Sequence, residues 1–322
     1  MVASLVFIRV AAVVRTESGV RFCMQEVEQT RGLQGRTGAG EKLPMSVIIP
    51  VRNEAKNLPR CLEALGNVGE VIVVDSQSTD ATVEIARGFG AQVVQFHYPG
   101  GWPKKRQWAM DTLPLANEWI LLLDADEVLT PELTAEIRRA IENPEVNGYY
   151  IALRMYFLGR VLRHGDASFW KLSLFRRGKG KYECRLKDQD ASMADMEVHE
   201  HVYVEGKTAC LEHALIHHNI ESLSRYIQKH DEYSNWEARM LSQSRAGGGI
   251  AASFFGTQAQ RRRWLKKKLF AMPGSPVLLF LYRYVLHLGF LDGVPGLIYC
   301  GFQAVQMFHT KSKIYELRSK KE

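Results

Sequence analysis

The 322-residue chain can form one large domain or two small ones, and its 46% hydrophobic and 24% charged residues are ordinary for a globular protein. Five scattered cysteines without a C-x-x-C pair argue against a disulfide framework or a zinc ribbon and favour a reducing compartment. The net charge is +7, and residues 261–322 hold twelve Lys and Arg against three acids, which indicates a phosphate-bearing partner for this end of the chain.

Residues 1–43 precede the first predicted strand. Residues 1–14 are rich in apolar side chains, but Arg9 interrupts them and no clear small-residue cleavage site follows. Residues 16–42 are polar, Gly-rich and aperiodic. We interpret 1–43 as a disordered extension or an over-called gene start, and we regard a cleaved signal peptide as the weaker alternative.

The next hundred residues alternate short apolar strands with helices. Strands are predicted at 45–50, 71–75, 92–96 and 119–123. Helices are predicted at 57–65, 80–87, 104–113 and 131–142, the last with Thr130 as N-cap and Pro131 at its first position. This alternation predicts that residues 45–143 form a mostly parallel sheet covered by helices on both faces, an α/β fold.

The pattern changes after residue 143. Residues 149–157 and 171–175 are predicted strands of a mixed, partly antiparallel region, and the polar, irregular residues 183–196 are interpreted as a mobile loop. A helix is predicted at 222–241, and the Gly-rich residues 245–253 are interpreted as a flexible joint. We therefore expect an extension at 1–43, one α/β domain at 44–245, and a basic and apolar helical region at 246–322.

Two basic clusters at 261–263 and 266–268 lead into apolar stretches at 276–290 and 294–308. Each stretch is shorter than the roughly 20 residues that span a bilayer, and Arg283, His287 and Asp292 interrupt them. A basic cluster followed by broken apolar helices indicates an anchor that lies in one leaflet on an anionic membrane surface. The alternatives are a buried helical hairpin and, for the basic cluster, a nucleic-acid patch; we expect no nucleic-acid partner.

An acidic stretch follows the buried strand at 119–123. Asp124 and Asp126 are separated by one residue, and Glu127 comes next. Paired carboxylates suit Mg²⁺ or Mn²⁺, which usually keep waters and substrate phosphates as further ligands. The alternative is an acidic turn into a helix, where the same residue types serve as caps. We assign Glu127 to such a helix start.

Three predicted strand ends carry polar or acidic groups, at 50–54, 75–80 and 124–126. Because the carboxyl ends of parallel strands meet at one edge of a sheet, these groups are expected to converge on a ligand crevice. No Gly-rich fingerprint follows the first strand, which excludes a dinucleotide-binding turn and a P-loop. The crevice would then hold a nucleotide through acids, a metal and basic side chains.

Three motifs in this order resemble the family 2 glycosyltransferases, which have a GT-A fold. They are S-V-I-I-P-V-R-N-E at 46–54, V-V-D-S-x-S-T-D-x-T at 73–82 and L-L-L-D-A-D-E at 121–127. The resemblance covers about residues 45–240. Two shorter motifs, V-H-E-H-V at 198–202 and G-F-L-D-G at 289–293, are similar to the branch related to lipopolysaccharide core β-1,4-glucosyltransferases.

The resemblance implies roles for individual residues. Asp126 would bind the metal that bridges the diphosphate, with Asp124 alongside, and Asp75 would bind the base or ribose. Pro50, Asn53 and Glu54 would line the nucleoside pocket. Lys105 and Arg106 would face the phosphates. For Lys105 and Arg106 the alternative is simple solvation on a helix face.

The resemblance also implies an acceptor-side base, for which Glu200 is the best candidate and Asp195 and Glu197 are rivals. His199 would orient that base or touch the metal or phosphate, unless it is a buried core histidine.

Other histidines invite metal-site interpretations. H-E-H at 199–201 lacks the H-E-x-x-H spacing of a zinc protease. A zinc site built from His213, His217 and His218 is also not favoured, although His218 alone could ligate a metal or the diphosphate.

We therefore expect a cytoplasmic, inverting hexosyltransferase at the inner face of the membrane. It would use a divalent metal and a nucleotide-sugar, of the UDP type, to modify a lipid-linked or cell-envelope glycan. A cation would stabilise the departing diphosphate, and a carboxylate would take the proton of the attacking hydroxyl. The alternatives are a sugar-phosphate nucleotidyltransferase, which would need a Gly-rich loop after the first strand, and a non-catalytic membrane scaffold of the same fold.

Overall fold

The computed structural model describes residues 13–16, 19–22, 42–100, 102–182, 202–218, 222–243 and 272–319. Strands β1 (Val13–Thr16) and β2 (Gly19–Phe22) pair antiparallel within the segment interpreted as an extension. The remaining elements begin at Leu43.

The alternation predicted for the first half of the chain is confirmed. Its elements are β3 (Leu43–Val51), α1 (Leu58–Glu63), β4 (Val68–Asp75), α2 (Thr82–Gly88), β5 (Gln92–Gln95), α3 (Lys105–Thr112) and β6 (Trp119–Leu122). Strand β6 is buried along its whole length, as expected for a strand in the middle of a sheet that is covered on both faces.

The second half is richer in antiparallel strands, as predicted. Its elements are β7 (Glu127–Val128), α4 (Pro131–Ala140), β8 (Gly148–Phe157), β9 (Arg160–Val161), β10 (Ser168–Arg176), β11 (Gly180–Tyr182), β12 (Val202–Val204) and β13 (Thr208–His217). The predicted loop at 183–196 and the predicted joint at 245–253 lie outside the described residues.

Within the described residues the main sheet has nine strands, in the order β5-β4-β3-β6-β10-β8-β13-β7, with β9 paired to β8. Strands β3, β4, β5 and β6 are parallel to one another. Strand β10 joins β6 antiparallel, and β13 pairs antiparallel with β7. The expected parallel sheet over residues 45–143 is therefore present as one half of a larger mixed sheet.

The sheet has a hydrophobic core on each face because successive side chains of a strand point in opposite directions. On one face Val47, Val73 and Leu121 pack with residues of α1, α2 and α4. On the other face Ile48 and Ile72 pack with α3. The strand ends that carry the polar motifs are held between these two layers.

The chain divides into two compact units. The first contains residues Met1–Leu153 and Trp170–His217, and the second contains Arg154–Phe169 and His218–Glu322. The helix predicted at 222–241, which the sequence placed in the α/β domain, belongs to the second unit as α5 (Leu223–Gln243).

The second unit is built mainly from helices. Helix α6 (Ser275–Leu281) continues into a π-helical segment (Tyr282–Leu286), a 3-10 turn (Gly289–Asp292) and the long α7 (Gly293–Ser319). Its core is aromatic: the ring of Phe157 lies 5.6 Å from the rings of both Tyr226 and Tyr299, in edge-to-face contacts.

Among the described helices, none has by itself the length and hydropathy to cross a bilayer. Residues Ser275–Leu286 and Gly289–Ser319 meet those criteria only when taken together, and they are bent by 72° at the break between them.

Candidate active site

The acidic stretch after β6 is a closed turn. The backbone N–H of Glu127 donates to the carbonyl of Asp124 at 2.9 Å, and the N–H of Asp124 donates to Glu127 Oε2 at 2.9 Å. The Glu127 side chain is only 1% exposed. Helix α4 begins later, where the Thr130 hydroxyl accepts from the N–H of Leu133. The assignment of Glu127 to a helix start is therefore wrong, because its carboxylate closes the turn from strand β7.

Two cations hold this turn. Lys171 Nζ lies 3.0 Å from Asp124 Oδ2 and 3.1 Å from Glu127 Oε1, and the guanidinium of Arg106 donates to Asp124 Oδ1. The sequence analysis did not single out Lys171. Strand β10 pairs with β6 in the register Leu174 to Leu121, and the same register extended by three residues brings Lys171 opposite Asp124. The available signal was a lysine at the first position of the predicted strand 171–175, directly before Leu172.

The network sets the protonation of its members. Burial alone would raise the pKa of Asp124, but the charges of Arg106 and Lys171 outweigh it and hold that pKa well below its usual range. Burial raises the pKa of Glu127 to about 7, against the opposing charge of Lys171. Burial would lower the pKa of Lys171, yet Asp124 and Glu127 raise it above its ordinary value. Asp124 therefore stays ionised at neutral pH.

Asp126 has a different partner, His217. Strands β7 and β13 pair with Glu127 opposite His217, which brings His217 Nε2 to 3.2 Å from Asp126 Oδ2. Burial would lower the pKa of His217, but the nearby Asp126 carboxylate outweighs it and raises that pKa. Among the described residues no group hydrogen-bonds the buried His217 Nδ1.

The zinc interpretation of the histidines gains no support. His213 Nδ1 lies 2.8 Å from Glu136 Oε2, and the ring of His218 packs on Tyr156. The described part of the chain contains no group of three or more His, Cys, Asp or Glu side chains positioned to hold a metal. His217, considered only within that zinc site, is instead the partner of Asp126.

The second strand end is organised around Asp75, which is 1% exposed. Its carboxylate accepts from the backbone N–H of Ser78 at 3.0 Å, from the Ser78 hydroxyl, and from Gln95 Nε2 at 2.9 Å. The structure thus uses both carboxylate oxygens to fix the loop after β4. Its role toward a base or ribose stays a prediction.

The first strand end is tied to the same loop. Asn53 has a φ of 56°, its N–H donates to the Ser78 hydroxyl at 2.8 Å, and its Oδ1 accepts from the N–H of Thr79 at 2.8 Å. The N–H of Glu54 donates to the Thr82 hydroxyl at 2.8 Å. The expected adjacency of the strand ends is confirmed, since Val51 pairs in register with Asp75 and β3 also pairs with β6.

The basic residues of α3 are not solvated. Lys105 is 6% exposed, and its ammonium donates to the carbonyl of Val51 at 2.9 Å. Arg106 bonds Asp124, as described above. The alternative that Lys105 and Arg106 are simply solvated on a helix face is therefore wrong. Their role toward phosphates stays a prediction. Pro50 lies in β3, paired with Val74.

The proposed acceptor-side base, Glu200, lies outside the described residues, as do Asp195, Glu197 and His199.

The donor set at Asp126 fits a divalent cation. A carboxylate and an imidazole in contact are ligands that Mn²⁺ accepts, and such ions commonly take one or two protein ligands with the rest from phosphates and water. Asp124 is less suited, because both of its oxygens already accept from Arg106 and Lys171. The side chains that suit a divalent cation are thus those of Asp126 and His217. The assignment of Asp124 as a ligand stays a prediction.

Residues 46–201, which include all three strand ends, match the family model described as glycosyl transferase family 2. The chain contains a family 2 glycosyltransferase domain. This match favours glycosyl transfer over the nucleotidyl transfer and the non-catalytic scaffold considered above.

Curated relatives of this glycosyltransferase support the same assignment. It is 28% identical over 284 residues to the lipopolysaccharide core biosynthesis glycosyltransferase LpsC of Rhizobium meliloti, which covers 85% of this chain and 93% of that protein. It is 29% identical over 204 residues to an uncharacterized glycosyltransferase of Rickettsia felis, over 61% of this chain and 70% of the relative. The chain is a glycosyltransferase.

Two solved structures are similar at low identity. Staphylococcus aureus TarS matches with a TM-score of 0.37 and 17% identity, over 86% of this chain and 91% of that one. Glucosyl-3-phosphoglycerate synthase from Mycobacterium tuberculosis, solved with Mn²⁺ and UDP, matches with a TM-score of 0.28 and 20% identity, over 38% and 46% of the two chains. Neither likeness decides the chemistry of the site.

Proposed function

We propose that this glycosyltransferase moves a hexose from a nucleotide-sugar, of the UDP type, to a lipid-linked or cell-envelope glycan of the lipopolysaccharide core type, with inversion at the anomeric carbon. The observation that carries the proposal is the contact between Asp126 and His217 at the end of the parallel half of the sheet, beside the ionised Asp124. The Rhizobium relative is a lipopolysaccharide core biosynthesis glycosyltransferase, which supports the class of acceptor.

Asp126 and His217 would hold the divalent cation, which when bound supplies Lewis-acid stabilisation of the departing diphosphate. Neither residue has to move far to share one ion, because their nearest atoms are already 3.2 Å apart. Lys171 and Arg106 keep Asp124 in place, and so fix the turn that carries Asp126.

The nucleoside would lie against the other two strand ends. Pro50, Asn53 and Glu54 would line its pocket, and Asp75 would act by fixing the Ser78 loop or by accepting from the base or ribose. The hydrogen bonds between Asn53 and the Ser78 loop support this arrangement, since a pre-formed loop loses little entropy on binding.

Glu200 would be the general base. Attack by an acceptor hydroxyl needs a carboxylate to take its proton, because the pKa of an alcohol is far above neutral. A base opposite the leaving group gives inversion, in the geometry that inverting glycosidases use with water. The reaction would take place in the cytoplasm, with the enzyme bound peripherally at the inner face of the membrane.

The test is a transfer assay with UDP-, GDP- and dTDP-sugars in the presence of Mn²⁺. We expect turnover with a UDP-hexose, and a loss of about a hundredfold or more in Asp126→Asn. The matched control is Glu132→Gln, an exposed acid in the first turn of α4, which should keep wild-type activity.

Full activity in Asp126→Asn would rule out the metal assignment. Retained transfer in Glu200→Gln would remove Glu200 as the base while leaving the donor-side proposal intact. A wild-type enzyme that turns over only GDP- or dTDP-sugars would correct the donor.

A further inference from the structure

The outer face of α6 and the π-helical segment is apolar. Its exposed large hydrophobic residues occur in adjacent pairs four residues apart, so they form one continuous stripe about two side chains wide. They are Val277, Leu278, Leu281, Tyr282, Val285 and Leu286. These six side chains are between 42% and 72% exposed, so the stripe faces solvent in the part of the chain that the structure describes.

Helix α7 carries a second stripe along its full length. Its exposed apolar residues are three residues apart, or seven or eight apart where Gly301 and Ser312 occupy the intermediate position of the same stripe. They are Val294, Leu297, Val305, Phe308 and Tyr315. Phe290 and Leu291, exposed in the 3-10 turn, lie between the two stripes along the chain. We call this combined surface, from Val277 to Tyr315, the apolar face.

The opposite side of α7 packs on α5. Thr310 donates to Glu237 Oε2 at 3.2 Å, Lys313 Nζ lies 2.6 Å from Asp231 Oδ1, and His230 Nδ1 lies 3.2 Å from Gln306 Oε1. Away from these contacts α5 exposes the charged residues Arg225, Glu232 and Arg239, and among its exposed apolar residues are Leu223 and Ile227. A helix covered on one side by a charged helix cannot be surrounded by hydrocarbon, so α7 suits a position in the plane of a membrane rather than across it.

The charge of this region is complementary to anionic lipid. Between residues 272 and 315 the sequence contains a single acid, Asp292. That acid is 1% exposed, and its Oδ2 accepts from the backbone N–H groups of Arg163 and His164 at 3.0 and 2.8 Å. Between Val277 and Tyr315 the described part of the apolar face therefore offers no exposed carboxylate to repel a phosphate headgroup, and the exposed Glu316 lies just beyond its end. Six cations, at 261–263 and 266–268, precede it in the sequence.

The apolar face also contains a recess. It has a volume of about 540 Å³ and lies between the start of α6 and the end of α7, with Val277, Phe308 and Tyr315 among its lining residues. Its lining is mainly apolar, so an acyl chain would fit it better than a polar ligand.

We infer that the apolar face is the surface by which this enzyme inserts into one leaflet of an anionic membrane, with α6 and α7 lying in the membrane plane and α5 on the water side. This inference rests on the proposed function, which places the enzyme at the inner face of the membrane, and adds the surface that makes the contact. Membrane attachment itself needs neither donor nor transfer.

The experiment is co-sedimentation of the full chain with vesicles of phosphatidylcholine alone or mixed with phosphatidylglycerol. The test variant replaces two exposed members of the face, Leu286→Ser with Val294→Ser. The matched control replaces two exposed apolar residues of α5, Leu223→Ser with Ile227→Ser. Wild type and control should bind the anionic vesicles, and the test variant should bind about tenfold to a hundredfold more weakly.

Circular dichroism checks that each variant folds, and transfer to a water-soluble acceptor in detergent separates attachment from catalysis. The inference is overturned if the test variant binds vesicles as wild type does, or if wild type does not bind anionic vesicles. Conversion of a dimer to a monomer by the test variant would show instead that a second copy covers the face. Vesicle binding without turnover of any nucleotide-sugar would contradict the proposed function alone.

Discussion

His217 Nε2 lies 3.2 Å from Asp126 Oδ2, although the two residues are 91 positions apart in the chain. The pairing of β13 with β7 brings them together, since it sets His217 opposite Glu127. The imidazole thus reaches the acidic turn from the last strand of the first unit, and it supplies a nitrogen donor next to a carboxylate.

This contact predicts that His217 contributes to metal binding. Replacing it by alanine removes one of the two donors, so the Kd for Mn²⁺ should rise by about tenfold to a hundredfold. Electron paramagnetic resonance of free Mn²⁺, titrated with protein in the presence of UDP, measures this directly. His213→Ala is the control, because His213 lies on the same strand and pairs with Glu136 instead. Equal Mn²⁺ affinity in wild type and His217→Ala would contradict the assignment.

Lys171 is expected to be needed for stability as well as for activity. In Lys171→Met the carboxylate of Glu127, which is 1% exposed, loses its cation, and the free energy of unfolding should fall by about 2 to 4 kcal/mol. Urea unfolding measures the change. The double variant Lys171→Met with Glu127→Gln should recover part of the loss, because it leaves no uncompensated acid at that position.

Lys207→Met provides the comparison for this prediction. Lys207 pairs with Glu145 at 2.8 Å, but their side chains are 53% and 71% exposed, so its loss should cost at most about 1 kcal/mol. If the two lysine replacements lowered the free energy of unfolding equally, the ion network at the acidic turn would stabilise the protein no more than a surface pair does.

Two glycines of α7 should respond in opposite directions to alanine. A Cβ at Gly296 would meet the carbonyl oxygen of Gly289 at 2.1 Å, whereas a Cβ at Gly301 has nothing within 4 Å. Gly296→Ala should therefore destabilise the protein by about 1 to 3 kcal/mol, and Gly301→Ala should stabilise it by about 0.5 to 1 kcal/mol. Thermal unfolding of both variants checks the contrast, which similar shifts would refute.

The stability of the second unit should depend on pH through His230. Burial lowers the pKa of His230 to about 4, below the ordinary value near 6.5. The unfolded state then binds the proton more tightly, so this contribution is complete above about pH 6.5 and is lost as the pH falls toward 4. It amounts to at most about 3 kcal/mol. In urea unfolding at several pH values, the free energy of unfolding of His230→Leu should fall less toward acid pH than that of wild type. Parallel pH dependences of the two proteins would disprove this role of His230.

The sheet could be predicted from the sequence because its strands are local apolar runs. The predicted strand at 45–50 is β3 (Leu43–Val51), and the predicted strand at 119–123 is β6 (Trp119–Leu122). The strand predicted at 71–75 begins earlier, at Val68. The prediction missed its first residues because Gly69 and Glu70 belong to the strand but interrupt its apolar run. A strand that is buried on both faces is apolar at successive positions, so it can be recognised in the sequence as an unbroken apolar run.

The partners within the site could not be predicted in this way. Lys171 and His217 reach the acidic turn through strand pairings across the sheet, and sequence spacing contains no information on such pairings. The same limit explains the error on Glu127. An acid just before a helix is a typical capping residue. Only the hydrogen bond from the N–H of Asp124 to Glu127 Oε2 shows that this acid closes a turn instead.

The partly buried ion pairs around Asp124 also set how the enzyme responds to salt. Ions in solution screen exposed charges over about 8 Å at physiological ionic strength, but they screen buried and partly buried pairs much less. Added salt should therefore leave the pairs of Glu127 and Asp124 with Lys171 nearly intact, while it weakens the attraction between the cations of 261–268 and an anionic surface. A buffer rich in salt would thus weaken the electrostatic part of the proposed membrane attachment while the acidic turn stays assembled.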